Sequence, residues 1–302
     1  MNYEAYSGDD FSRFKNGAIY SYTHPTKAKD YHDAFIKGNT PTDSDVKDVT
    51  VNTGADRGTE ANPYVITSVA EWNSLAAKAT SYTAATVKDK FFVLGCDIDA
   101  GSVSNALNPI PAFGGIFCGN GYMISNITMN TPNATNNGRG LFNSASGATI
   151  SDLRIDMNMT ATAATTNQGG LVGYVAGATN ILNCQTDVVW NQTGGTSGNF
   201  GGLVGGTAAV QVLLYRCSST FNFTMKASCT PYYGGLIGTT TGGVQLSIFD
   251  SMAKTVSDIG TSTGSRFSGG IVGVFQSSNN ANINLENIIS DIEAKSGRVV
   301  WD

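Results

Sequence analysis

Apolar residues in this chain come in short runs divided by glycine and by neutral polar stretches, and one phrase recurs. It reads GRGLFNS at 138–144, GGLVGYV at 169–175, GGLVGGT at 201–207, GGLIGTT at 234–240 and GGIVGVF at 269–275. The glycine before each apolar pair is Gly140, Gly170, Gly202, Gly235 and Gly270, so the spacings are 30, 32, 33 and 35 residues. A second apolar phrase follows about ten residues later each time: ATISDLRID, ATNILNCQT, VQVLLYRCS, VQLSIFDSM and ANINLENII. Polar segments such as TATAATTNQ and NQTGGTSGN separate the units and read as turns or loops.

A unit of this length with two or three short strands cannot bury an apolar face alone, but stacked on copies of itself it can. The pattern therefore predicts an all-β parallel solenoid. Each strand pairs with its equivalent in the next coil about 4.8 Å away, and like side chains form ladders. Leu141, Leu171, Leu203, Leu236 and Ile271 make one expected ladder; Phe142, Val172, Val204, Ile237 and Val272 make its neighbour. Because adjacent strand positions point to opposite sides, only one of the two is expected in the central core, with the other under a loop or at a corner. The flanking glycines suit sharp corners, where positive φ costs them nothing. Gly, Thr and β-branched residues dominate and no 3.6-residue period appears, which excludes a leucine-rich or helical repeat.

Upstream, residues 59–129 read as the entry to the same solenoid. Ser68 followed by Glu71 forms a capping box for a short helix carrying Val69, Trp72, Leu75 and Ala76 on one face. Such a helix would cover the open first coil, whose unpaired backbone otherwise invites stacking.

The order NPYVITSVAEWNSLA, FFVLGCDID, FGGIFCGNGYMISNITM, GLF, ISDLRI, GGLVG resembles the GLUG-repeat proteins found on bacterial surfaces and in some phages and protists. The resemblance covers about 58–295 and implies a right-handed β-helix with a role in adhesion or surface display. Two domains follow: an N-terminal extension, 1–57, and the solenoid, 58–302. The extension holds both histidines and five of the twelve tyrosines. It reads equally as an attachment segment docking on a neighbouring subunit, since Tyr supplies large amphipathic contact area, or as an arm packed on its own coils or a partly disordered leader.

Composition narrows the functions. Charged residues are only 14% against an average of about 25%, yet hydrophobic residues reach 41% and Gly 36 residues, as many short strands and tight turns require. A net charge of -5, without a basic cluster, gives no reason to bind nucleic acid. No run of 18 apolar residues exists, so no membrane-spanning helix is expected. The first residues lack a basic-then-apolar export signal. Location is expected to be extracellular, on a cell or virion surface.

Candidate chemistry is sparse. The five cysteines include no CxxC pair, so no zinc site is expected; Cys184 and Cys217 share a repeat position, where they stack as thiols or form a disulfide, with thiols the leading expectation. GLUG repeats also accompany metallopeptidases that cut immunoglobulin A, which need HExxH; His24 and His32 form no such motif. Gly260-Thr261-Ser262-Thr263-Gly264 matches G-x-S-x-G but sits in a polar loop remote from any histidine. A β-helix polysaccharide enzyme would need carboxylates at equivalent positions of adjacent coils. Aligning Ile155, Cys184, Cys217 and Ser251 places Asp156 opposite Gln185 and Asp187 opposite Thr220 and Lys254, giving no acid ladder. Asp97 and Asp99 are expected to finish a strand in a turn. The N-x-T sequons at Asn126, Asn133, Asn158, Asn191 and Asn222 are as many as chance provides in this composition. No catalytic residue, cofactor or metal is expected. The leading expectation is a non-enzymatic, adhesin-like module meeting glycan or protein through flat polar faces. The alternatives are a structural subunit of a phage fibre, spike or filament, associating with copies of itself or with virion proteins, and, more weakly, a carbohydrate-active enzyme.

Overall fold

The computed structural model describes residues 58–60, 63–101, 107–131, 138–161, 167–193, 197–225, 230–258, 267–276 and 281–296. The extension 1–57, Cys229, Asn133 and the 260–264 loop lie outside the described residues. Four strands make a coil. The first complete coil is β6 (Gly138–Arg139), β7 (Phe142–Ala145), β8 (Ala148–Ser151) and β9 (Arg154–Ala161). The second is β10 (Asn167–Gly169), β11 (Val172–Val175), β12 (Thr179–Leu182) and β13 (Gln185–Gln192). The third is β14 (Ser197–Gly201), β15 (Val204–Thr207), β16 (Gln211–Tyr215) and β17 (Ser218–Met225). In the next two, the third and fourth strands merge: β18 (Thr230–Gly234), β19 (Ile237–Thr240) and β20 (Gln245–Asp258), then β21 (Phe267–Gly269), β22 (Val272–Phe275) and β23 (Asn282–Ser296).

Each strand pairs in parallel with its counterpart one coil away. Val172 lies beside Phe142 and Val204, Val204 beside Ile237, and Ile237 beside Val272. The structure is a parallel β-solenoid, and its register follows the glycine-phrase spacing read from the sequence.

Both aliphatic ladders enter the same core, contrary to the alternation argument. Leu141, Leu171, Leu203 and Leu236 are as buried as Phe142, Val172, Val204 and Ile237, and all belong to one cluster. The reason is local: β10 ends at Gly169 and β11 starts at Val172, so Leu171 sits in the bend between strands. The chain turns there, and strand alternation does not carry across it. Leu171 N still donates to Leu203 O, Leu203 N to Leu236 O and Leu236 N to Ile271 O, at 2.9–3.1 Å. Ile271, on the last rung, is only partly buried.

The corner glycines also differ from expectation. Gly140, Gly170, Gly202, Gly235 and Gly270 do not have positive φ; the described glycines that do are Gly58, Gly121, Gly147 and Gly243. Crowding is what demands glycine. A Cβ on Gly170 would stand 2.5 Å from Gly202 O, and one on Gly140 would stand 2.6 Å from Gly169 O. The bend brings successive coils together backbone to backbone.

At the N-terminal end, β1 (Tyr64–Ile66), β2 (Phe91–Leu94), β3 (Ile98–Asp99), β4 (Ile116–Cys118) and β5 (Met123–Thr131) begin the stack. Helix α1 (Val69–Lys78) closes it, burying Val69, Trp72, Leu75 and Ala76. Ser68 Oγ accepts from Glu71 N at 3.3 Å, while Glu71 Oε2 accepts from Thr67 N at 2.8 Å, so the capping box reaches back one residue further than usual. Trp72 packs edge-on against Phe117 and Phe142 at 5.5 and 5.7 Å and donates to Asn108 O. The C-terminal end is different: on β23, Ile283 and Leu285 are 38% and 45% exposed, whereas their partners Leu246 and Ile248 are buried.

One interior residue conflicts with its surroundings. Gln168 stacks between Arg139 and Phe200, is fully buried, and neither of its amide atoms has a hydrogen-bond partner. Each orphaned group costs about 1–3 kcal/mol. Gln168→Leu is therefore expected to raise stability by about 1–3 kcal/mol in urea denaturation; a loss would show that the amide has a partner in solution.

Candidate functional site

One continuous outer surface is the side of β9, β13 and β17 that faces away from the core. Their registers are unbroken, so side chains fall into straight columns. Asp156, Asp187, Thr220 and Lys254 make one column; Asn158, Val189, Asn222 and Val256 make the next; Thr160, Asn191, Thr224 and Asp258 make a third. Alternate positions point inward, where Met159, Trp190 and Phe223 are buried. Below them Phe200 contacts Trp190 at 5.3 Å and Phe223 at 4.9 Å, which gives this face a rigid aromatic backing.

The expected alignment at this face needs correction. Leu153, not Ile155, is the counterpart of Cys184, because Gln185 N donates to Leu153 O and Asp187 pairs with Asp156. Two carboxylates thus occupy adjacent rungs. Asp156 Oδ1 accepts from Asn126 N, and Asn126 Nδ2 donates to Asp99 Oδ1 at 2.9 Å. Asp99, which ends β3, also accepts from Gly101 N in the turn that follows, and Asp97, before β3, accepts from Met123 N at the start of β5. Among the described residues, no group of three or more His, Cys, Asp or Glu converges as metal ligands would.

One further feature beside this face was not legible from strand alternation. Between the third and fourth strands, or at the equivalent point inside the merged β20 and β23, stands one residue with left-handed backbone: Asp152, Asn183, Arg216, Asp250 and Asn287, with φ of 49–56°. That residue bends the chain and shifts strand phase by one. Asn and Asp tolerate this region better than other non-glycine residues. The column D, N, R, D, N before Leu153, Cys184, Cys217, Ser251 and Ile288 was the available signal. Its side chains form their own ladder. Asn183 Nδ2 donates to Asp152 Oδ1 at 2.6 Å, and Asn287 Nδ2 to Asp250 Oδ1 at 2.9 Å. Arg216 breaks the series, its guanidinium lying 5.9 Å from the centre of the Tyr215 ring. Leu182, Tyr215 and Met252 lie beside this bend outside the main core cluster, yet are only 7%, 9% and 1% exposed.

Cys184 and Cys217 occupy successive rungs as free thiols, with Ser218 N donating to Cys184 O. Burial pushes Cys217 up to about 12 and Cys184 well above the usual thiol range. Burial, then Asp152, raises Cys118 likewise. Cys96 is half-exposed; burial first, then Asp97, raises it too. Because thiolate is the reactive form, Cys118, Cys184 and Cys217 are expected to resist Ellman's reagent in the native state at pH 8. Cys96 should react slowly there and faster as pH rises. Rapid native-state labelling of Cys184 or Cys217 would contradict their placement.

No protein-family model and no curated protein matches this sequence. Among solved structures, the chain is similar to a Bacteroides ovatus protein provisionally described as an immunoglobulin A1 protease. The likeness has a TM-score of 0.50 and 15% identity, and it covers 81% of each chain. At that identity the similarity is one of fold.

Proposed function

We propose that this chain is a non-enzymatic, surface-exposed binding and display module of adhesin type, as the GLUG resemblance implies. The observation that carries the reading is the outer face of β9, β13 and β17. Asp, Asn, Thr and Val side chains stand there in register about 4.8 Å apart, on a sheet backed by buried aromatics. Such a face loses little conformational entropy on contact, so many weak polar contacts to glycan or protein can add up. The solved neighbour's description concerns proteolysis of immunoglobulin A1, whereas this chain has no HExxH sequence.

Immobilised glycan and extracellular-matrix protein panels test the proposal. Binding should be lost on placing charge in the face with Val189→Lys or Asn222→Lys and kept with Gln211→Lys, which lies on β16, across the bend from that face. Absence of any ligand, or equal effects of all three, would defeat it.

One observation favours a second reading, a structural subunit of an extracellular assembly. The last rung exposes Ile283 and Leu285, the kind of apolar edge that invites pairing. Concentration-dependent mass in light scattering, abolished by Leu285→Lys, would put this reading first. The stacked pair Asp156 and Asp187 is the feature a carbohydrate-active enzyme would use; the display reading expects no turnover of a polysaccharide panel.

A further inference from the structure

Exposed apolar surface gathers on the last rung. Of the four large hydrophobic residues exposed in the described chain, Phe275, Ile283 and Leu285 stand there and only Val189 lies elsewhere. Among the described residues, no strand pairs with the far side of β21, β22 or β23. Register sorts the side chains of β23. Ile283, Leu285, Ile288, Ser290 and Ile292 pair with Leu246, Ile248, Ser251, Ala253 and Thr255, all buried, so they point to the core side. Glu286, Asp291 and Glu293 pair with Phe249, Lys254 and Val256, which lie outside the core cluster. Edges that stay unpaired are kept so by short length, by proline or by an inward charge. The edge of β23 is fifteen residues long, has no proline and turns none of these acids inward.

We infer that the occupant is a second copy of this chain, bound last rung to last rung as a closed two-fold pair. The opposite end of another copy does not fit, because α1 lies across it with Trp72 packed on Phe117 and Phe142. A head-to-tail row is thereby excluded, and only an isologous contact is left. The size is adequate. β21, β22 and β23 contribute three, four and fifteen residues, near the roughly 20–30 per side of a stable interface. The chemistry is self-complementary when the axis passes through the bend between Asn287 and Ile288. β23 then runs antiparallel to its copy, and core-side positions meet core-side positions: Ile283 opposes Ile292 of the second copy, and Leu285 opposes Ser290. On the outer side, Asp291 and Glu293 oppose Asn284 and Asn282, whose amides donate to carboxylates, so no two acids of β23 face each other. The inference rests on the assembly reading and fixes its unit at two. Such a pair carries two copies of the β9, β13 and β17 face.

The test uses the full chain. Sedimentation over a dilution series should show a species of twice the 31.6 kDa chain mass that dissociates to single chains. Leu285→Lys, at a half-exposed position, should keep the parent's melting profile and raise the dissociation constant at least about thirtyfold. Asn282→Cys/Glu293→Cys should give a disulfide-linked dimer on mild oxidation, because opposed residues of antiparallel strands lie about 4.5–5.5 Å apart, within disulfide reach. Asn282→Cys alone should stay unlinked, since that residue does not oppose itself. A single chain at every concentration refutes the pair and the assembly reading together. Masses above two, a pair indifferent to Leu285→Lys, or linking of the single variant as readily as the double leave the assembly reading standing and refute the closed pair.

Discussion

Gly202→Ala should destabilise this protein by about 3 kcal/mol or more, at the upper end of what overpacking costs, while Gly147→Ala should cost only about 1–2 kcal/mol. The contrast separates two reasons for glycine. Gly147 has positive φ of 68°, with nothing within 4 Å of an added Cβ, so its penalty is backbone strain alone. Gly202 lies in the bend before Leu203, and its Cβ would overlap Gly235 O of the next coil and Ser219 Oγ. The carbonyl cannot retreat, because Gly235 belongs to the same bend one coil further on, where Leu203 N and Val204 N both bond to Leu236 O. Urea denaturation followed by circular dichroism measures both variants. A larger loss at Gly147 would mean that the corners need conformational freedom more than space.

Leu203→Ala is the second large effect. Leu203 is fully buried between Leu171 and Leu236, so truncation leaves a cavity whose walls are held by backbone pairing on both sides. Limited relaxation puts the cost in the upper part of the usual range, about 4–5 kcal/mol. Ile271→Ala, on the partly buried last rung, should cost about half as much. Because Leu171 and Leu203 touch, the double variant should depart from additivity by about 0.5 kcal/mol or more. Strict additivity would say that the ladder is not in contact.

These two cases show which parts of the fold could be read in advance. The repeat spacing is legible because a coil must return to the same column, and Val172, Val204 and Ile237 mark that column with the same kind of side chain. The helix over Val69–Lys78 is legible because Ser68 and Glu71 sit three apart before an apolar stripe. What strand alternation alone cannot deliver is the phase change at a single bent residue. Asp152, Asn183 and Arg216 share a backbone conformation, not a chemistry, and aligning coils by apolar character moved Asp156 off Asp187. The candidate surfaces were legible only as composition. Their columns and the adjacent carboxylates depend on side-chain stacking between residues some thirty positions apart.

The register is the claim on which everything else depends, and an engineered disulfide tests it directly. Asn158 and Val189 are exposed partners on β9 and β13. Parallel neighbours at this spacing fall within the Cα separation of about 4.4–6.8 Å that a disulfide needs. In the Asn158→Cys/Val189→Cys variant, mild oxidation and peptide mass spectrometry should find a 158–189 bridge in most molecules. The Asn158→Cys/Asp187→Cys variant, offset by two residues, should stay reduced. Bridging in the second variant but not the first, with both folded by circular dichroism, would contradict the stacking described here.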